Sequence, residues 1–208
     1  MEVAIVGKTV WGDRRCIGAA ALTDGRALRL LPKTFRPGVH ASWFHHENTP
    51  LKIGGVWAID GAMSRYARPP HTEDFILNSQ SFVREQEDIR AFIVATCPIV
   101  DGPISTTFDR TLQVSRDRLL IPVHGRLPDH STCFWRCDEA LPRYDEKGKV
   151  RFICGDCTIS YVGEQPPGPS FFCIPEKSIV RLSLSRAFTT ERHPSAFWLQ
   201  ISDWYAGD

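Results

Sequence analysis

The segment Pro70-His71-Thr72-Glu73-Asp74 sets an imidazole and two carboxylates side by side. Such a set can ligate a divalent metal or serve as an acid/base pair. In extended chain, alternation puts His71 and Glu73 on one face and Asp74 on the other. A catalytic zinc takes three protein ligands, so a metal-dependent enzyme at His71, Glu73 and Asp74 needs a further ligand from elsewhere. The competing reading is a turn that runs into a strand, with His71 and Glu73 hydrogen-bonded to backbone. No HExxH, GxSxG or Walker pattern occurs, which removes the commonest hydrolase and NTPase readings. A non-catalytic role is the preferred expectation.

The cysteines offer a second chemistry. Cys133-x3-Cys137 is followed by Cys154-x2-Cys157, a spacing close to a zinc ribbon with one residue too many in the first pair. A structural zinc takes four such ligands in a tetrahedron, and Gly155-Asp156 suits the tight turn of a knuckle. The alternatives are a redox pair or unliganded thiols in a core beside Phe134 and Trp135. Cys16 follows Arg14-Arg15, which would lower its pKa. Its partner would be a distant histidine such as His71. The apolar run Ile17 to Leu22 makes burial the expected state of Cys16 instead. Cys97 and Cys173 read as small buried apolar residues.

A third chemistry is stacking. Single strands are held by aromatic rings beside Arg and Lys. Phe35 lies between Lys33 and Arg36, Tyr66 between Arg65 and Arg68, and Trp11 near Arg14 and Arg15. Trp43, Phe44, His45 and His46 run together and could instead close one end of a barrel. Arg15, Lys33, Phe35, Arg36, Arg65, Tyr66 and Arg68 are the surface candidates for nucleic acid.

The elements that position these groups are short strands. Val3 to Val6, Cys16 to Leu22 and Ala27 to Leu31 form an opening meander. Its Asp24-Gly25 pair predicts a two-residue type I′ turn, with φ > 0 at both central residues. Further strands are expected at Val56 to Asp60, Asp74 to Leu77, Thr111 to Ser115, Leu119 to Val123, Val150 to Cys154, Cys157 to Val162, Ile179 to Leu184 and Phe197 to Ile201. The Val150/Cys157 and Ile179/Phe197 pairs read as hairpins. One helix is expected over residues 81–95, with Phe82, Ile89, Phe92 and Ile93 on one face and Ser79 or Ser81 as cap. Asp138 to Lys149 and Glu164 to Pro169 read as exposed loops.

Composition sets the outer limits. The 208 residues carry a net charge of +1, so no global field draws the chain to DNA or to a membrane surface. Basic character is local and arginine-rich, which suits bidentate contact with phosphate. An apolar share of 42% is enough for sizeable cores. No apolar run has the length of a membrane span. Seven cysteines without a secretory leader point to a reducing cytoplasm.

The order of signals resembles the bacterial dual OB-containing domain family, in which two OB-like barrels stand in tandem. The pieces that carry the resemblance are Lys8, Arg15-Cys16-Ile17-Gly18-Ala19, Gly25 to Arg29, Glu47-Asn48, Gly54-Gly55-Val56-Trp57 and Pro70-His71-Thr72-Glu73-Asp74. In the second half they are Val150-Arg151-Phe152, Tyr161, Val180 to Leu184 and Phe197-Trp198-Leu199. The chain departs from the pattern at Cys154 to Cys157, a turn where Asn and Gly are expected. The resemblance implies a mainly β fold: a first OB-like barrel over 1–78, a connecting helix in 79–98 and a second barrel over 99–208. It carries no activity to transfer. OB barrels commonly hold single strands or oligosaccharides across one sheet face.

The expected function is therefore a non-catalytic module that binds single-stranded DNA or RNA, in a prokaryotic defence or DNA-processing setting. No cofactor is expected, with zinc on the four cysteines as the exception. The alternative is an adaptor that recruits a protein partner through a barrel face or sheet edge.

Overall fold

Alternation along the first strands decides where the first core sits. Val3 and Ile5, Ile17 and Ala19, and Leu28 and Leu30 point the same way and pack with Leu51, Trp57, Ile59, Phe75 and Leu77. In the computed structural model, which describes residues 1–190 and 193–207, these side chains fill a closed five-stranded barrel. Its strands are β1 (Glu2–Trp11), β2 (Arg14–Ala21), β3 (Ala27–Leu31), β5 (Gly55–Met63) and β6 (Asp74–Glu85), with a short β4 (His45–His46) at the edge of β2. Pairing runs β1–β2–β3–β6–β5 and returns to β1. All these ladders are antiparallel except β3–β6, which is parallel. The arrangement is consistent with an OB-like barrel. Bulges at Val56/Trp57 and Asp60/Gly61 let β5 coil around it. At Gly61 a Cβ would lie 2.1 Å from the Ile76 carbonyl, so only glycine fits the bend.

The second unit has its own core and a different sheet. Its strands are β7 (Ile99–Val100), β8 (Gln113–Ser115), β9 (Arg118–Pro122), β10 (Thr132–Arg136), β11 (Leu141–Glu146), β12 (Lys149–Cys154), β13 (Cys157–Tyr161), β14 (Cys173–Ile174), β15 (Ile179–Leu184), β16 (Phe188–Thr190) and β17 (His193–Tyr205). The main path runs β14-β11-β12-β13-β9-β17-β15-β10-β7, with β8 on β9 and β16 on β17. Ile121, Trp135, Phe152, Ile159, Val180, Leu182, Leu199 and Ile201 form one buried cluster on one face. The two compact units are Met1–Pro98 and Ile99–Asp208. Among the described residues no helix is long and apolar enough to cross a membrane.

Three local expectations need correction. The helix expected over 81–95 forms only as α1 (Ile89–Thr96), and Asp88 caps it by accepting from the Ala91 N–H at 2.8 Å. Residues 81–85 are strand, because β5 offers them a hydrogen-bonding edge from Gly55 to Ala58. Tertiary pairing there overrides a helical pattern of apolar residues. Residues 79–98 thus belong to the first unit as strand and helix. The loop expected at Asp138 to Lys149 contains β11, joined to β12 by Lys147 and Gly148 at φ 51 and 75, the sign pattern of a type I′ turn.

The Asp24-Gly25 connection joins β2 to β3, but not as a two-residue turn. Only Gly25 has positive φ, at 67. The Gly25 N–H donates to the Ala21 carbonyl at 2.9 Å, and the Arg26 N–H to Asp24 Oδ1 at 3.0 Å, so the loop is wider. Its purpose is contact: a Cβ on Gly25 would sit 2.1 Å from the Thr96 carbonyl, where the end of α1 packs down.

The parallel β3–β6 ladder closes the barrel, with a buried guanidinium–carboxylate contact at the seam. Arg29 and Asp74 are register partners, and the Arg29 N–H donates to the Glu73 carbonyl at 2.8 Å. The Arg29 guanidinium donates to the Asp74 carboxylate through Nε and pairs with it through Nη2. Arg29 Nη1 lies 3.4 Å from His71 Nδ1. Arginine can only donate, so Nδ1 accepts and the His71 proton sits on Nε2. His71, Glu73 and Asp74 are all buried. The Arg29 guanidinium thus occupies the space beside the Asp74 carboxylate and next to His71. Among the described residues this trio forms no group with metal-ligand spacing. Cys16 lies half-buried in β2.

Two predictions follow from closure and packing. Gly25→Ala should lower the unfolding free energy by about 2–4 kcal/mol, from left-handed strain plus the Thr96 clash. Gly12→Ala, at φ 59 with nothing within 4 Å, should cost only the strain, about 1 kcal/mol; urea unfolding separates the two. Burial raises the Asp74 carboxyl to about 6 against the pull of Arg29, and burial raises Asp203 to about 6 as well. Both bind protons more tightly folded than unfolded. Their contribution to stability is full below about pH 4 and is lost as pH rises through about 6. Asp74→Asn should remove its share of that decline, on the order of 3 kcal/mol between pH 4 and 7. An unchanged pH slope in the variant would show that Arg29 holds Asp74 ionised throughout.

Candidate nucleic-acid interface

Three connections of the first barrel carry rings that touch. The β1–β2 tip supplies Trp11, which stacks on Phe44 at 5.3 Å and meets His40 edge-on at 4.7 Å. The β3–β4 connection supplies Phe35 and Trp43, 4.9 Å apart and nearly perpendicular. The β5–β6 connection supplies Tyr66, 6.5 Å from Phe35. Trp11 and Tyr66 remain 50% and 42% exposed, so a flat ligand can reach a ring at both ends. The β3–β4 loop is held in shape locally. Ser42 Oγ accepts from the Arg36 N–H at 2.9 Å and donates to the Val39 carbonyl at 2.7 Å, just where a 3₁₀ turn (His40–Trp43) begins.

Cations flank these rings unevenly. The Arg65 guanidinium lies 4.8 Å from the Tyr66 ring centre, and its Nη2 donates to the Tyr66 hydroxyl at 2.6 Å. Arg29 reaches the Trp43 ring at 5.8 Å from beneath. Lys33 and Arg36 are exposed beside Phe35. Arg68 is exposed, with Nη1 donating to the Ala67 and Arg65 carbonyls. Arg15 differs: its side chain is 14% exposed and donates to the Gly12 and Arg14 carbonyls, with Glu47 at 3.8 Å. The structure thus gathers Phe35, Arg65 and Tyr66 into one ring contact chain. Trp43, which the sequence left as a barrel plug, joins them. Its signal was the unbroken run Trp43-Phe44-His45-His46.

His45 is positioned differently from the rings beside it. Its Nε2 lies 3.1 Å from the Leu30 carbonyl, and burial lowers its pKa, so at neutral pH it is an uncharged spacer rather than a phosphate contact.

The four cysteines proposed for zinc belong to the second unit's core. Cys133 and Trp135 of β10, and Cys137 just after it, pack into the apolar core, and Cys154 faces Cys157 across the β12–β13 hairpin. Gly155 has φ 56 there. Cys137 Sγ donates to the Pro175 and Ser178 carbonyls, each at 3.3 Å. Burial pushes the Cys137 and Cys157 thiols up and raises Cys154 to about 11. Among the described residues, the group with metal-ligand spacing is Asp109, Asp129 and His130, and not the cysteines.

The second unit also has a concave face that sequence reasoning missed. Outward side chains of β9, β12, β13 and β17 line a groove of about 640 Å³ with five basic and two acidic residues. The available signal was alternation: in Lys149-Val150-Arg151-Phe152, apolar residues face the core and basic ones face out.

No known protein family and no curated protein matches this chain. A solved structure of a murine DNA-binding protein bound to double-stranded DNA is similar at a TM-score of 0.31 and 9% identity, covering 99% of this chain and 95% of that one. So loose a likeness carries neither fold nor function across.

Proposed function

We propose that the first unit binds single-stranded nucleic acid across the ring chain of Phe35, Trp43 and Tyr66. The observation that supports this reading most is the joining of Phe35 and Tyr66, from two different connections, with Arg65 over one ring and exposed Lys33 and Arg36 beside the other. Rings offer bases a face that any base can stack on, and the cations take phosphates, so sequence preference is weak. Lys33, Arg36, Arg65 and Arg68 are the phosphate contacts. Arg15 positions the β1–β2 tip through Glu47 and the local carbonyls.

The test is fluorescence anisotropy with labelled single-stranded oligonucleotides. If all four cations meet phosphates, affinity should fall roughly 50-fold between 50 and 200 mM salt. Tyr66→Ala should weaken binding by about 5- to 100-fold, the usual effect of removing one stacking ring. Affinity that ignores salt, or no binding at low salt, would exclude this reading. Co-purification with a protein and without nucleic acid would favour the adaptor instead.

A further inference from the structure

The groove of the second unit contains an arginine that the protein itself leaves unfinished. Arg151 projects from β12 on the face opposite the core, yet is only 8% exposed. Its Nη2 pairs with Glu146 Oε2 at 2.8 Å. Its Nε and Nη1 are buried with no hydrogen-bond partner among the described residues. Buried charged donors without acceptors are costly, and they point to an acceptor that arrives from outside.

The neighbours fit one kind of acceptor. Arg151, Ser160 and Gln200 form a row across three adjacent strands, as register partners in β12–β13 and β13–β17. Arg118 enters from β9, donating from Nη1 to Ser160 Oγ at 3.2 Å. Arg118 also approaches Glu146, at 4.0 Å, so one carboxylate is shared by two guanidiniums and positive charge is left over. Arg116 and Lys147 stand at the rim, at the tips of the β8–β9 and β11–β12 hairpins, and Lys149 lies beside Arg151. At the other end of the groove Phe188 stacks on Trp198, rings 5.6 Å apart and 28° from parallel, and Phe188 is 46% exposed. The volume of about 640 Å³ is that of a small-ligand site.

We propose that this groove binds a nucleotide unit, its phosphate on Arg151 and Arg118 and its base on the open face of Phe188. Arginine forks suit phosphate, and a ring already backed by a second ring loses little freedom when a base stacks on it. The site stands apart from the first unit's ring chain and does not rest on it.

The experiment uses the full chain carrying Arg36→Ala and Tyr66→Ala, so that loss of the first unit's face is already in the background. A labelled five-residue oligothymidylate is the probe, and thymidine 5′-monophosphate the competitor. Phe188→Ala and Lys149→Ala, both on exposed side chains, should each lower affinity, the former about tenfold or more. Arg151→Met should do the same, with a thermal melt confirming that the fold is kept. Displacement by the mononucleotide identifies a free-nucleotide site; weakening by the variants without displacement identifies part of a strand path. Either outcome supports the groove. Affinity lowered by Arg151→Met but not by Phe188→Ala overturns the base platform. Affinity that none of the three substitutions changes, or no binding of either probe, overturns the site.

Discussion

Closure of the first barrel turns on one buried contact, Arg29 with Asp74, where the desolvation of the carboxylate outweighs its attraction to the guanidinium. Strands β3 and β6 are far apart in the chain and meet in a short parallel ladder. Parallel pairing is the slightly weaker kind, and without it the other ladders would leave an open, twisted sheet with two bare edges. Arg29 and Asp74 face each other at that seam, out of water, where their attraction is least screened. The same guanidinium reaches His71 and the Trp43 ring. Closure therefore also places two of the loops that carry the rings. His71, Glu73 and Asp74 lie in the wall from which the ring-bearing loops project.

The two units solve different problems with the same element. In the first, the exposed chemistry sits on connections, where a barrel end gathers loops from distant strands. In the second, it sits on the outward face of the sheet, where alternation places Arg118, Arg151, Ser160 and Gln200 side by side. Both surfaces pair rings with guanidinium groups, and both are local. A net charge of +1 means that neither is driven by the protein's overall field.

Much of the fold was legible in the residues. Strands β1 to β3, β12, β13, β15 and the middle of β17 follow from apolar runs bounded by turn residues. What escaped detection was pairing-dependent. Ser81 to Glu85 has helical spacing but lies against β5, and Leu141 to Glu146 is too polar to announce itself until β12 lies beside it. The candidate rings Phe35 and Tyr66 were visible because basic residues flank them. Arg151 was not, because its meaning lies in burial on an outer face, which no local pattern expresses.

The sequence by itself determined a mainly β chain, a first strand meander, and aromatic residues interleaved with arginine, since these rest on periodicity and neighbouring residue types. Only the tertiary structure decided what the charged groups do. Arg29 meets Asp74 where a barrel closes, Cys137, Cys154 and Cys157 pack into a core that raises their pKa values, and two Arg151 donors in a groove have no hydrogen-bond partner among the described residues. The physical reason is common to all three. The behaviour of a charge or a thiol is set by its desolvation and its partners, and both come from residues brought together across the fold.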